Sequence, residues 1–151
     1  MRKKGDQAPD FLLRSLDGGS ISLTELKASG PVVLAFFKVS CPTCQYTLPF
    51  LQRLRADNVV AVSQDSAADT REFLEAFGVT LSTLLDTRGE GYPASSAWGL
   101  THVPSIFLVE QDGTIALAEA GFSRADLETI GGRFGASVFR EGEKTPAFRP
   151  G

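Results

Sequence analysis

Pro31-Val32-Val33-Leu34-Ala35-Phe36-Phe37-Lys38-Val39-Ser40-Cys41-Pro42-Thr43-Cys44 is the stretch on which the reading of this chain turns. Residues 32–38 form a near-continuous apolar run, the pattern of a central strand covered on both faces. A helix is expected from residue 42 to about residue 55. Cys41 then stands where strand hands over to helix. There it meets the positive end of the helix dipole and unpaired backbone N–H groups, both of which favour thiolate over thiol. Cys44 lies one helical turn further on and can close on Cys41. These are the only two cysteines in the chain. The residues point to a reversible dithiol/disulfide pair.

The surrounding sequence fits a single domain. At 151 residues the chain can bury a substantial core, and 42% hydrophobic with 22% charged residues is a globular composition. A net charge of −3 gives no reason to expect nucleic acid or an anionic membrane as partner. No apolar run approaches the roughly 20 residues of a membrane-spanning helix. Met1-Arg2-Lys3-Lys4-Gly5-Asp6 has a basic tip and no apolar stretch of the signal-peptide kind. A chain trimmed of a leader or anchor would read the same. The compartment therefore stays open: cytoplasmic if Met1 is the native start, extracytoplasmic if a leader was removed. One redox pair fits either.

Outward from the motif, Asp17-Gly18-Gly19 joins two short strands into an N-terminal hairpin. Ser22 and Glu25 form a capping box for a short helix. Leu48, Leu51 and Leu54 make one stripe on the helix after Cys41, and Pro49 should kink it. A buried strand over residues 59–63 follows. Next comes a helix over residues 67–77, with Phe73, Leu74 and Phe77 turned inward and Gly78 past its end. Residues 81–85 read as a short strand, and residues 94–98 as a helical turn. Strands over residues 105–109 and 114–118 flank a hairpin turn. Ser123 caps a last helix with Leu127, Ile130 and Phe134 on one face, weakened by Gly131-Gly132. The order is hairpin, β-α-β-α, then β-β-α. It predicts an α/β fold, a mixed central sheet flanked by helices.

The CxxC, the strand before it, Pro49 eight residues after Cys41, Val103-Pro104 before a strand pair, and Gly5-Asp6-Gln7-Ala8-Pro9-Asp10-Phe11 together carry a resemblance. The chain resembles the thioredoxin-fold thiol–disulfide oxidoreductases, in the redoxin subgroup with TlpA- and ResA-like proteins, related to the AhpC/TSA superfamily. The resemblance covers residues 5–138. It leaves a tip at residues 1–4 and a polar tail at residues 139–151. It implies a thioredoxin-like fold with an N-terminal hairpin extension. It makes Cys41 the attacking thiol and Cys44 the buried resolving thiol. Pro104 is expected in cis, with Val103 offering its backbone to an extended substrate segment. Pro42 and Thr43 are expected to set the redox poise and line the cleft. No cofactor is implied beyond the Cys41–Cys44 disulfide. The implied partners are protein thiols or disulfides and an upstream redox protein, with the domain acting as a monomer.

Three positions depart from the family pattern. Ala35 stands where thioredoxins carry a buried aspartate. Thr47 stands where ResA-like proteins carry a glutamate. Ser40 replaces the usual tryptophan. Neither usual proton acceptor for Cys44 is therefore present.

Other readings compete. A zinc site needs four ligands, and the chain offers two cysteines and one histidine. Cys41, Cys44 and His102 resemble a Sco-like copper module, but the cysteine spacing is one residue short. A peroxiredoxin-like thiol peroxidase needs Pro-x-x-x-Thr/Ser-x-x-Cys. Counting back gives Lys38 and Leu34 from Cys41, and Cys41 and Phe37 from Cys44. His102 reads as a loop histidine, and Lys38 as a lysine reaching solvent past the sheet edge. The Thr43 hydroxyl or N–H could bond the Cys41 thiolate. Tyr92, Trp98 and Phe37 could line a groove, although aromatics in such places are more often core.

Overall fold

Val32 to Phe37 are buried at every position, and the sheet is built outward from them. The structure is a computed structural model that describes residues 1–54 and 56–151. β1 (Leu12–Ser15) and β2 (Ser20–Ser22) form the hairpin. α1 (Leu23–Leu26) starts on the Ser22–Glu25 capping box. β3 (Val32–Phe37), α2 (Pro42–Leu51), β4 (Val59–Ser63), α3 (Ala67–Phe77) and β5 (Ser82–Leu85) follow. Then come α4 (Pro93–Ala97), β6 (Ser105–Val109), β7 (Ile115–Ala120), β8 (Phe122–Ser123), α5 (Arg124–Arg133) and β9 (Phe148–Arg149).

The main sheet has seven strands in the order β2-β1-β5-β4-β3-β6-β7. β3, β4 and β5 are mutually parallel, and the other pairings are antiparallel. This is the mixed sheet that the element order predicts. Strand alternation sends Val33, Ala35 and Phe37 to one face, against Leu48 and Leu51 of α2 and Leu127 and Ile130 of α5. Leu34 and Phe36 go to the other face, against Ala94 of α4 and Trp98. Trp98 is fully buried, 4.8 Å from the Phe107 ring, and its indole N–H donates to the Pro9 carbonyl at 3.0 Å. Trp98 and Phe37 are thus core, not groove.

The fold brings the chemistry to one edge. Parallel β3, β4 and β5 all end there, so the segments after Phe37, Ser63 and Leu85 share it. Antiparallel β6 begins there, just after Val103-Pro104, and β7 ends there.

Several expectations need correction. α2 ends at Leu51, soon after Pro49, which has no N–H to bond back to Gln45. Beyond Gln52 the turns tighten: Arg53 N–H bonds the Phe50 carbonyl and Leu54 N–H the Leu51 carbonyl, each at 3.0 Å. Arg55, the expected helix end, lies outside the described residues. Leu48, Leu51 and Leu54 are all buried, as their stripe predicts. Phe77 is 38% exposed, not turned inward. α3 stops there at left-handed Gly78, and the Phe77 ring leans on Phe73 at 4.9 Å.

The polar segment after residue 138 packs back onto the domain. Phe139 is buried, with the Arg124 guanidinium 4.3 Å above its ring. Arg53 holds both Glu143 carboxylate oxygens at 2.6 and 2.9 Å. Phe148–Arg149 pairs with β8. Gly131 is required by close approach, since a methyl group there would lie 2.5 Å from the Ala136 carbonyl oxygen.

Candidate active site

Cys41 is the N-cap of α2, with φ −87° and ψ 114°. Extended backbone at this position turns its side chain back over the first helical turn. The sulfur accepts the Cys44 N–H at 3.1 Å and lies 3.4 Å from the Val103 carbonyl oxygen, to which its S–H donates. The helix N–H that reaches Cys41 is therefore that of Cys44. The Thr43 hydroxyl goes elsewhere, donating to the Pro150 carbonyl at 2.7 Å.

Cys41 is half-buried and Cys44 fully buried, both as free thiols. Burial, then a hydrogen bond with the Cys41 side chain, push the Cys44 thiol well above the ordinary 9.0. Desolvation disfavours the thiolate most, and nearby negative charge adds to this. Part of that charge is the carboxylate of Asp65.

Asp65 follows β4 on the same edge and accepts the Val39 N–H at 2.8 Å. It thus ties the loop before Cys41 to the neighbouring strand end. Ala35 and Thr47 are fully buried, and the Thr47 hydroxyl donates to the Thr43 carbonyl at 2.6 Å. The acid nearest in influence to Cys44 therefore comes from a different element than either family position. Sequence reading missed it. The available signal was the β-α-β crossover, which pairs Ser63 with Phe37 and so sets Asp65 beside Val39, each two residues further on.

Val103-Pro104 is a cis peptide bond. Pro104 is buried, and its carbonyl accepts the Gly121 N–H at 2.7 Å. Beside Val103 lies a cavity of about 280 Å³, walled by Lys38, Gln64, Tyr92, Ser95 and His102. Lys38 is half-buried in this wall. Tyr92 enters α4 at φ 49°, left-handed for a non-glycine residue. His102 is exposed, its Nδ1 paired with the Thr101 hydroxyl at 2.9 Å. Asp86 is fully buried and holds the α4 N-terminus, accepting Ala94 N–H at 2.9 Å and Ser95 N–H at 2.8 Å as well as the Ser95 hydroxyl. The structure therefore brings Cys41, Pro42, Thr43, Cys44, Val103 and Pro104 to one edge.

The AhpC/TSA family profile matches residues 4–118 of this arrangement. The chain belongs to the AhpC/TSA family. Within it, the chain is 27% identical over 128 residues to the thiol-disulfide oxidoreductase ResA of Halalkalibacterium halodurans, covering 80% of this chain and 70% of that one. It is 30% identical over 122 residues to the thioredoxin-like protein YneN of Bacillus subtilis, covering 75% and 69%. Among solved structures it is similar to a putative thiol:disulfide interchange protein DsbE from Chlorobium tepidum. That match has a TM-score of 0.74 at 27% identity and covers 88% of this chain and 96% of that one. The fold of this AhpC/TSA member is thus the thioredoxin fold that the CxxC context implies, and the protein is an oxidoreductase of that kind. No helix among the described residues is long and apolar enough to cross a membrane.

Proposed function

We propose that the protein exchanges disulfides with protein substrates through Cys41 and Cys44, by way of a mixed disulfide. One observation carries this reading. A half-exposed thiol caps a helix beside an exchange-ready backbone turn, and a buried thiol sits one turn behind it.

In the reducing direction, Cys41 thiolate attacks one sulfur of a substrate disulfide. A Cys41–substrate S–S bond forms, and the other substrate sulfur leaves as thiolate. Cys44 then loses its proton and attacks the Cys41 sulfur. The Cys41–Cys44 bond forms, the second substrate thiolate leaves, and the substrate has gained two electrons. An upstream redox protein returns the pair to the dithiol. The opposite direction uses the same steps reversed. On this reading the dithiol is itself the redox group, and Val103-Pro104 with Pro42 and Thr43 shapes the cleft.

The test is an equilibrium redox titration against glutathione, read by thiol alkylation and mass. A two-electron transition within the family range of about −270 to −120 mV is expected. Cys44→Ser should accumulate the Cys41 mixed disulfide with substrate. Absence of any reversible transition would sink the reading. A peroxide-driven reaction lacks the Pro-x-x-x-Thr/Ser-x-x-Cys loop in this sequence, and the exchange reading is therefore preferred.

A further inference from the structure

We propose that residues 147–151 form an intramolecular strap occupying the groove where an extended substrate segment binds, so that protein partners reach Cys41 only when the strap lifts. This rests on the disulfide-exchange reading above.

The strap is placed by specific contacts along its length. The Ala147 carbonyl accepts the Arg124 N–H at 3.0 Å. Phe148 pairs with Ser123, and Arg149 with Phe122, adding a short strand to β8. The Arg149 guanidinium lies 5.1 Å above the Tyr46 ring, in the first turns of α2. The Pro150 carbonyl then takes the hydroxyl of Thr43, between the two cysteines. Gly151 rests on the turn before β6, so closely that a methyl group on it would collide with the Val103 carbonyl oxygen. That oxygen is the same one that accepts the Cys41 S–H. The segment thus runs from β8 across the head of α2 to the cis-proline turn. An extended peptide pairing with β8 would follow the same line.

Two glycines fit this path. Gly151 passes against Val103. Gly121 has φ +104°, and a methyl group there would lie 2.7 Å from the Arg149 carbonyl oxygen and 3.1 Å from the Phe148 ring. The family match ends at residue 118, so the strap lies outside the matched stretch. The ladder holding it is only two residues long, and Phe148 is 51% exposed, which leaves the strap able to open.

A groove filled from within discriminates by size. A small disulfide needs only the half-exposed sulfur, whereas a protein segment must displace the strap. Its apparent affinity is the open-state affinity multiplied by the fraction of molecules that are open.

The experiment uses the full chain with the double substitution Arg149→Glu/Gly151→Val, and separately Gly151→Val. Reduced proteins are mixed with insulin or with oxidised glutathione, and initial exchange rates are compared. Both variants should reduce insulin about tenfold faster than the parent, equivalent to about 1.4 kcal/mol of closed-state preference. Their rates with oxidised glutathione should stay near the parent value. Added free peptide of residues 145–151 should slow the double variant with insulin again. Unchanged insulin rates in both variants, with normal glutathione exchange, would overturn the strap and leave the oxidoreductase reading standing. No exchange with either disulfide, in parent and variants alike, would overturn both.

Discussion

The buried Cys44 thiol should make the stability of the reduced protein depend on alkaline pH, and the size of the effect can be worked out. The thiol has an ordinary value of 9.0 and is pushed above it in the folded chain, chiefly by burial. A raised folded value means that the native state holds the proton more tightly than the unfolded state. Its contribution is fully present below pH 9.0 and is lost as pH rises towards the folded value. If the folded thiol stays protonated, the loss relative to neutral pH is about 0.4 kcal/mol at pH 9 and about 1.4 kcal/mol at pH 10. The perturbation is Cys44→Ala, compared in a Cys41→Ser background so that no disulfide forms. Urea unfolding is followed at neutral pH, pH 9 and pH 10. With an m-value of about 1.5–2 kcal/mol/M, the midpoint gap between the two proteins should close by about 0.7–0.9 M by pH 10. Parallel midpoints across this range would refute the reasoning, because Cys44 would then ionise as readily folded as unfolded. The same raised thiol implies that decay of a trapped Cys41 mixed disulfide accelerates steadily with pH and does not level off at pH 9.0.

Asp65→Asn should move the alkylation profile of Cys44 to lower pH, since the lost carboxylate charge helps hold that thiol up; iodoacetamide rates in the Cys41→Ser background measure it, and an unmoved profile would assign the shift to burial alone. Asp86→Ala strips the partner from three buried donors at α4 and should cost about 3 kcal/mol or more in urea unfolding. A loss below about 1 kcal/mol would mean that the α4 end reaches water. Glu119 is pushed up to about 7 by burial and then by Asp126, so its contribution is present below the ordinary 4.5 and is lost as pH rises through about 7. Glu119→Gln should flatten that fall and, after solvent screening, raise stability by about 1 kcal/mol at mildly alkaline pH. Thermal midpoints across this range decide it.

Much of the architecture was legible because it follows from short-range rules. The turn glycines set the first hairpin, the capping box set α1, and Gly78 set the end of α3. The uniformly apolar run set β3 as an interior strand. Misreadings fell where periodicity meets an element's end. Phe77 continues the stripe of Phe73 but stands on the last residue of α3 and stays largely in water. The Thr43 hydroxyl illustrates the same limit at the site. Its position between the cysteines suggested a thiol partner, but a carbonyl 107 residues away takes it.

The sequence by itself determined the Cys41–Cys44 spacing, its place at a strand-to-helix junction and the mixed sheet around it. Those features depend on residue type at fixed spacing along one or two neighbouring elements. Only the tertiary structure decided that Asp65 ties down the loop before Cys41, that Asp86 anchors α4 and that residues 147–151 lie against Thr43 and Val103. Each of these joins segments far apart in sequence. Such contacts form where the ends of parallel strands are gathered on one edge, and no local pattern encodes which side chains will meet there.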